Sequence, residues 1–271
     1  MILLHVAVAA LYVLAAWARW PRPVSETPPK TAAVALSWTA FIVPAALLLH
    51  AWLAGREFVT PEGLDLSLPN AVSIVAALVA LVAWASGLLQ TLPAVGTVVL
   101  PVAAVASLLP ALVINPHRFP YAGEPGAALH IAVALVSYAL FLVAALQALI
   151  VMSLEKRLRR RLPEPGATGL PPLLTLERFL FRLVTVGFVL LTATLASGML
   201  FSEQIFGKPL LFTHRNVFSL LGWFTFAALL WGRWRYGWRG RVALRWIVVG
   251  TLFVFLAYLG EKFVLEVLLR R

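Results

Sequence analysis

Residues 126–151 read GAALHIAVALVSYALFLVAALQALIV, a run that suits lipid throughout except for one ionisable group, His130, near its start. A helix crosses the hydrocarbon of a bilayer with roughly 20 mainly apolar residues, so this stretch predicts a transmembrane helix. A titratable ring in or near hydrocarbon is costly and usually faces a bundle interior, a cavity or a cofactor. The run therefore sets both the fold class and a question about His130.

The rest of the chain resembles it. Of 271 residues, 62% are hydrophobic and 12% charged, far from the balance of a soluble domain. Eight segments are long and apolar enough to span: 2–18, 32–53, 69–89, 92–113, 127–153, 179–201, 215–232 and 242–263. The first lacks a basic region in front of it and carries Arg19, Arg22 and Lys30 behind, which reads as an anchor rather than a cleaved signal. The expectation is an all-α, polytopic membrane protein of about eight transmembrane helices. It forms a single domain over 1–271, with spans one to four in 1–119 and spans five to eight in 120–271. Cysteine is absent, which excludes disulfides and thiolate metal sites.

Charge sets the orientation. Alternate loops place Arg19, Arg22, Lys30, the basic residues of 156–161, Arg178, Arg182, Arg233, Arg235, Arg239, Arg241 and Arg245 on one side. That is 15 of the 22 basic residues against four acids, so this side holds the whole net charge of +11. By the positive-inside rule it is cytoplasmic and both termini are extracytoplasmic. Orientation thus accounts for the basic balance, and nucleic acid is not needed as a partner; membrane lipids are. Trp17, Trp20, Trp38, Trp231, Trp234, Trp238 and Trp246 fall near the same interface, and LLWGRWRYGWRGRVALRW reads as an aromatic and arginine belt with a tight glycine turn. The long basic connection at 155–178 is either a lipid-facing anchor or a docking site for a cytoplasmic partner. Pro44, Pro101 and Pro110 are expected to kink spans two and four.

The five histidines, His5, His50, His117, His130 and His214, all fall toward the extracytoplasmic side. His50 sits shortly before the end of an outward-running span and His130 shortly after the start of an inward-running one. At ~1.5 Å per residue their rings share a depth, so they form a candidate bis-imidazole pair for haem iron. Ala134, Ser137 and Ala144 share a face with His130, where small residues admit another helix or a flat macrocycle. Val43, Ala46 and Leu47 give His50 an apolar wall. The alternative is that each imidazole bonds water, a headgroup or a backbone carbonyl and binds nothing. His5 reads as interfacial, His117 as a loop residue, and His214 as capping or flanking its helix, with a ligand or propionate contact as the other option. No phosphate loop, HExxH, nucleophile triad or intramembrane carboxylate pair is present, and Glu203, Glu261 and Glu266 read as interfacial acids. This argues against a proton-coupled transporter.

ALHIAVALVSYALFLVAALQALIV, LPPLLTLERFLFRLVTVGFVLLTATLASG and the LLWGRWRYGWRGR…LAYLG region resemble the CcsA-type cytochrome c assembly membrane domain, over most of 120–260. HRNVFSLLGWF and LSLPNAVSIV are similar to its YpjD/HemX-like branch. The resemblance implies an eight-span bacterial inner-membrane protein that handles haem. His130 matches the first of two histidines that flank a tryptophan-rich "WWD" segment in the cytochrome c synthetases, and His50 matches a histidine in span two of the YpjD/HemX-like branch. The chain departs from the synthetase pattern: FGKPLLFTHRNVFS has no tryptophan, GEKFVLEVLLRR has no second flanking histidine, and Trp231 stands where span seven has a histidine. The implied function is non-enzymatic, non-covalent b-type haem binding in cytochrome c assembly or haem regulation, with His50 and His130 as axial ligands and His214 in reserve. Partners so implied are cytochrome c assembly proteins or a cytoplasmic tetrapyrrole-pathway protein. The alternatives are a haem exporter or synthetase subunit, a cofactor-free scaffold, and a small-solute transporter.

Overall fold

The computed structural model describes residues 1–18, 31–60, 63–65, 67–89, 93–113, 118–119, 125–159, 173–200 and 213–264. His117, Trp20, Glu203, Glu266 and most of the 160–178 connection's Pro/Gly stretch lie outside them. Each of the eight apolar segments is a helix: α1 (Ile2–Ala18), α2 (Thr31–Phe58), α3 (Leu68–Leu89), α4 (Pro93–Leu112), α5 (Pro125–Arg159), α6 (Leu173–Leu200), α7 (His214–Tyr236) and α8 (Gly240–Phe255). The chain runs on from α8 through a π-helical turn, Leu256–Gly260, into a final helical turn, Glu261–Phe263. α2 and α4 continue through their prolines.

One expectation is adjusted. Among the described residues seven helices, rather than about eight, have transmembrane length; α1 is apolar but has 17 described residues. At 1.5 Å per residue α1 reaches about 25 Å, short of a hydrocarbon core of about 30 Å. The all-α class holds, with one small addition in the connections. Strands β1 (Val59–Thr60), β2 (Gly63–Asp65) and β3 (Arg118–Phe119) form a small antiparallel sheet in the order β1-β2-β3, with Val59 opposite Leu64 and Leu64 opposite Phe119. Gly63, at φ 132°, supplies the backbone that an L side chain rarely adopts, and Thr60 Oγ1 donates to its carbonyl at 2.7 Å. The short strands escaped notice because two- and three-residue pairings carry no periodicity.

The sheet fixes which helix ends share a level. β1 follows α2, β2 precedes α3, and β3 lies between α4 and α5, so one end of the bundle gathers the end of α2 and the starts of α3 and α5. α1 packs against α2 and α4, and α3 against α2, α4 and α5. In the second half α5 packs against α6 and α8, and α7 against α6 and α8. Between lipid-solvated helices the hydrophobic effect offers little, and close van der Waals contact must hold them. Small residues provide it where α7 crosses α8. A Cβ on Gly222 would lie 2.6 Å from Val254, and one on Gly250 would lie 2.9 Å from the Phe226 ring. Phe226 stacks on Phe141 of α5 with centroids 4.0 Å apart, and Thr251 Oγ1 donates to the Phe141 carbonyl at 3.2 Å.

The opposite end carries the arginines. Gly237, at φ 66°, closes α7 with its N–H on Arg233 O at 3.1 Å while Trp238 N–H reaches Gly232 O at 3.2 Å, the glycine turn that the sequence predicts. Glu177 of α6 accepts from Gly240 N–H at 3.1 Å and from Arg233 Nη1 at 3.5 Å, and Arg233 lies 3.5 Å above the Phe181 ring. Arg241 Nε pairs with Glu155 at 3.5 Å. Trp17, Trp231 and Trp234 are exposed, Trp234 at 85%, as residues of an interfacial belt are.

Candidate functional site

His5, His50, His130 and His214 fall at the sheet-bearing end, in three separate settings. α1 and α2 run antiparallel, and each places two polar residues seven apart on one face: His5 and Tyr12 on α1, His50 and Glu57 on α2. The spacing is two helical turns, so the pairs face each other across the interface. Tyr12 OH lies 3.1 Å from His50 Nδ1, and Ser73 Oγ of α3 lies 2.9 Å from His50 Nε2. Two turns nearer the end, His5 Nε2 lies 2.6 Å from Glu57 Oε1 and His5 Nδ1 lies 2.6 Å from the Ser107 carbonyl of α4.

The proton positions at His5 follow from its partners. A carbonyl only accepts, so Nδ1 carries a hydrogen and donates to Ser107 O. Nε2 then shares one proton with Glu57, as an imidazolium–carboxylate pair or its neutral form. The expectation that His5 is interfacial is corrected: it is 1% exposed and ties α1 to α2 and α4. Glu57, an acid the sequence reading passed over, ends α2 with its side chain only 21% exposed. The seven-residue spacings were the signal for this cluster, since two polar residues on one apolar face imply partners on the next helix.

His50 is 1% exposed, with both ring nitrogens engaged, and Val43, Ala46 and Leu47 beside it pack into the protein core. His130 stands on another helix. α3 packs against both α2 and α5; His50 meets Tyr12 and Ser73, and His130 meets Ser197. His130 Nδ1 lies 2.8 Å from Ser197 Oγ of α6, and Ser197 Oγ donates to Thr194 O at 3.1 Å. A serine hydroxyl has one proton. Given to Thr194 O, it leaves the oxygen to accept from His130 Nδ1–H, which puts the lone pair of that ring on Nε2. A Cβ on Gly198 would lie 3.4 Å from His130 Cε1, so α6 passes in close contact with the imidazole.

Below His130 the small-residue face takes a helix. Ser137 is buried and its Oγ donates to Gly187 O of α6 at 2.9 Å, and Ala144 is fully buried. His214 is the first residue of α7 and is exposed; the cap is Thr213, whose side chain accepts from Asn216 N–H at 3.4 Å. His214 therefore flanks its helix rather than capping it. No group of three or more histidine and acidic residues suited to a metal ion occurs among the described residues.

A donor set of isolated imidazoles fits a haem iron, which has two axial positions, better than a bare metal, which requires three or four protein ligands. At His130 the Ser197 hydroxyl at Nδ1 orients the ring. At His50 it requires Ser73 to turn away from Nε2 while Tyr12 keeps Nδ1.

Residues 30–269 match the family described as Cytochrome C assembly protein. The chain is 31% identical over 230 residues to the inner membrane protein YpjD of Escherichia coli strain K12, a match that covers 82% of this chain and 84% of that one. It is 36% identical over 149 residues to an uncharacterized 28.8 kDa protein of Azospirillum brasilense, covering 54% of this chain and 55% of the other. It is also 28% identical over 209 residues to the cytochrome c biogenesis protein CcsA of Thermosynechococcus vestitus, covering 62% and 66%. No solved structure matches the chain. Seven helices of membrane length and the likeness to YpjD make this a multi-pass inner-membrane protein. It belongs to the cytochrome c assembly protein family, in the superfamily that includes YpjD and the CcsA-type proteins.

Proposed function

We propose that this protein binds haem non-covalently at its histidine-bearing end, on the extracytoplasmic side, and serves haem handling or its regulation in cytochrome c assembly without catalysis of its own. The observation that carries the reading is the His130–Ser197–Thr194 chain, which sets the imidazole in the tautomer a metal ligand needs. The relatives' names, cytochrome c assembly and cytochrome c biogenesis, support the general role. Haem, if bound, would supply an iron that imidazole nitrogen ligates. His130 and His50 would hold it, His50 once Ser73 turns away from its Nε2, with His214 in reserve. Ser197 holds the His130 ring in place, and Gly198 keeps α6 close against it.

The test is the absorption spectrum of the purified protein, oxidised and reduced, after haem supplementation. Sharp reduced α and β bands in the wild type, lost in His130→Ala and in His50→Ala, support the assignment. Bands that survive His50→Ala but not His214→Ala move the second ligand to α7. The full engagement of His50 inside the first four helices favours a second reading, a cofactor-free assembly scaffold. A wild type that takes up no haem establishes that one.

A further inference from the structure

The arginine-bearing end of the bundle presents more positive charge than the chain itself can answer. Of the 22 basic residues 15 fall on this side, against four acids. Two of those acids already hold partners inside the protein, Glu177 on Arg233 and Glu155 on Arg241. Glu26 and Glu164 are the remaining two, far fewer than the basic residues left.

The Glu177 clasp fixes where several of these cations stand. Glu177 and Phe181 lie one turn apart on α6, and both meet Arg233 of α7. Arg178 and Arg182 directly follow them in the chain, so they line up on the adjoining strip of α6, about 100° round the helix. Both are exposed, as are Thr185, Val186 and Val189, which continue the strip. On α7 the exposed Trp234 and Arg235 follow Arg233, and the Arg235 guanidinium lies 5.6 Å from the Tyr236 ring centre. At the far end of the strip a second clasp joins the same helices. Trp223 Nε1 donates to Thr192 Oγ1 at 2.9 Å in an exposed position, and its ring stacks on Phe188 at 5.5 Å. From Arg182 to Thr192 the helix rises about 15 Å, half of a hydrocarbon core of about 30 Å.

A basic residue in any loop near a span end serves orientation. These arginines stand instead on helix faces, over an apolar strip one leaflet deep. We propose that Arg178, Arg182 and Arg235 seat the phosphodiester headgroup of an anionic phospholipid on the outer face of α6 and α7, with its acyl chains along the strip. The guanidinium fork meets phosphate oxygens with two donors, and the exposed Trp231 and Trp234 suit the headgroup boundary. The seat lies at the opposite end from the histidines and does not depend on the haem reading.

The experiment is a titration of the full-length protein in neutral detergent with phosphatidylglycerol or phosphatidylcholine, the bound lipids being counted by native mass spectrometry. The variants are Arg178→Gln/Arg182→Gln, Arg235→Gln and, as a control of equal charge loss in the other half of the chain, Arg19→Gln/Arg22→Gln. The wild type should take its first phosphatidylglycerol more tightly than phosphatidylcholine. That affinity should fall roughly fivefold in Arg235→Gln and about twentyfold or more in Arg178→Gln/Arg182→Gln, the scale of one basic residue at an anionic surface. It should change little in the control, and phosphatidylcholine binding should stay constant throughout, which a loosened fold would not allow. An equal fall in the control shows attraction to net charge alone and overturns the seat. So does a wild type without preference between the two lipids. Polyglutamate added at the concentration of the protein should leave the bound phosphatidylglycerol in place; displacement assigns the face to an acidic protein segment and overturns the seat.

Discussion

Replacing Glu57 by leucine removes one partner of the His5–Glu57 pair and leaves a 1%-exposed imidazole facing an apolar side chain. Breaking a buried pair this way costs about 3–5 kcal/mol in soluble proteins. Two features lower that figure here. Glu57 is 21% exposed and so was partly solvated at the start, and an unfolded state within lipid finds other partners, which holds neutral interhelical bonds to about 0.6 kcal/mol on average. A coupling of about 1.5–3 kcal/mol is expected, above the neutral average because a charge is shared over 2.6 Å. The assay is equilibrium unfolding in mixed neutral and anionic detergent for Glu57→Leu, His5→Leu and the pair. The double variant should be less destabilised than the two singles added together, by that coupling. Glu57→Gln gives the sharper check. With His5 Nδ1–H held on Ser107 O, the neutral ring offers Nε2 as an acceptor, which the glutamine amide can fill. That variant should lose only about 1 kcal/mol, the net worth of one ordinary hydrogen bond. A coupling below about 0.5 kcal/mol, or a glutamine variant as damaged as the leucine one, refutes the proton assignment at His5.

Ser197→Ala removes the acceptor that orients His130 and should weaken haem uptake by about 10–100-fold without abolishing the fold, measured by titrating haem and following its absorption bands; unchanged uptake would remove Ser197 from the site. Gly250→Val pushes into the Phe226 ring, which is already stacked on Phe141, so overpacking should cost about 1–3 kcal/mol in the unfolding assay. Glu177→Ala takes the acceptor from Gly240 N–H and Arg233 at the α7–α8 turn. It should raise hydrogen exchange at that turn while leaving α1–α4 unaffected, and a uniform rise across the bundle would show that Glu177 holds more than the turn.

Hydropathy and charge were sufficient to read the helical class, because a bilayer requires long apolar helices and leaves a loop bias in lysine and arginine that any sequence displays. All eight apolar segments were read as helices, though the ends of α2 and α5 and the start of α6 run five or six residues beyond the apolar bounds; the glycine turn at 237 was read too, because each depends on residues adjacent in the chain. The gathering of histidines at one end was visible for the same reason, since position along alternating spans gives depth. What surrounds each imidazole was not. His130 and His50 share a depth, yet one faces Ser197 of α6 and the other Tyr12 of α1 and Ser73 of α3, because depth says nothing of order around the bundle. His5 and Glu57 are 52 residues apart until α1 and α2 pack together, and Arg215 and Lys262 are 47 residues apart until the α7–α8 hairpin sets both beside Tyr258. The sequence by itself determined which segments are long and apolar and at what level along alternating spans their polar groups stand. Only the tertiary structure decided which of those groups meet, because lateral helix packing rests on close shape contacts such as Gly250 on Phe226, which leave no periodic trace in a single chain.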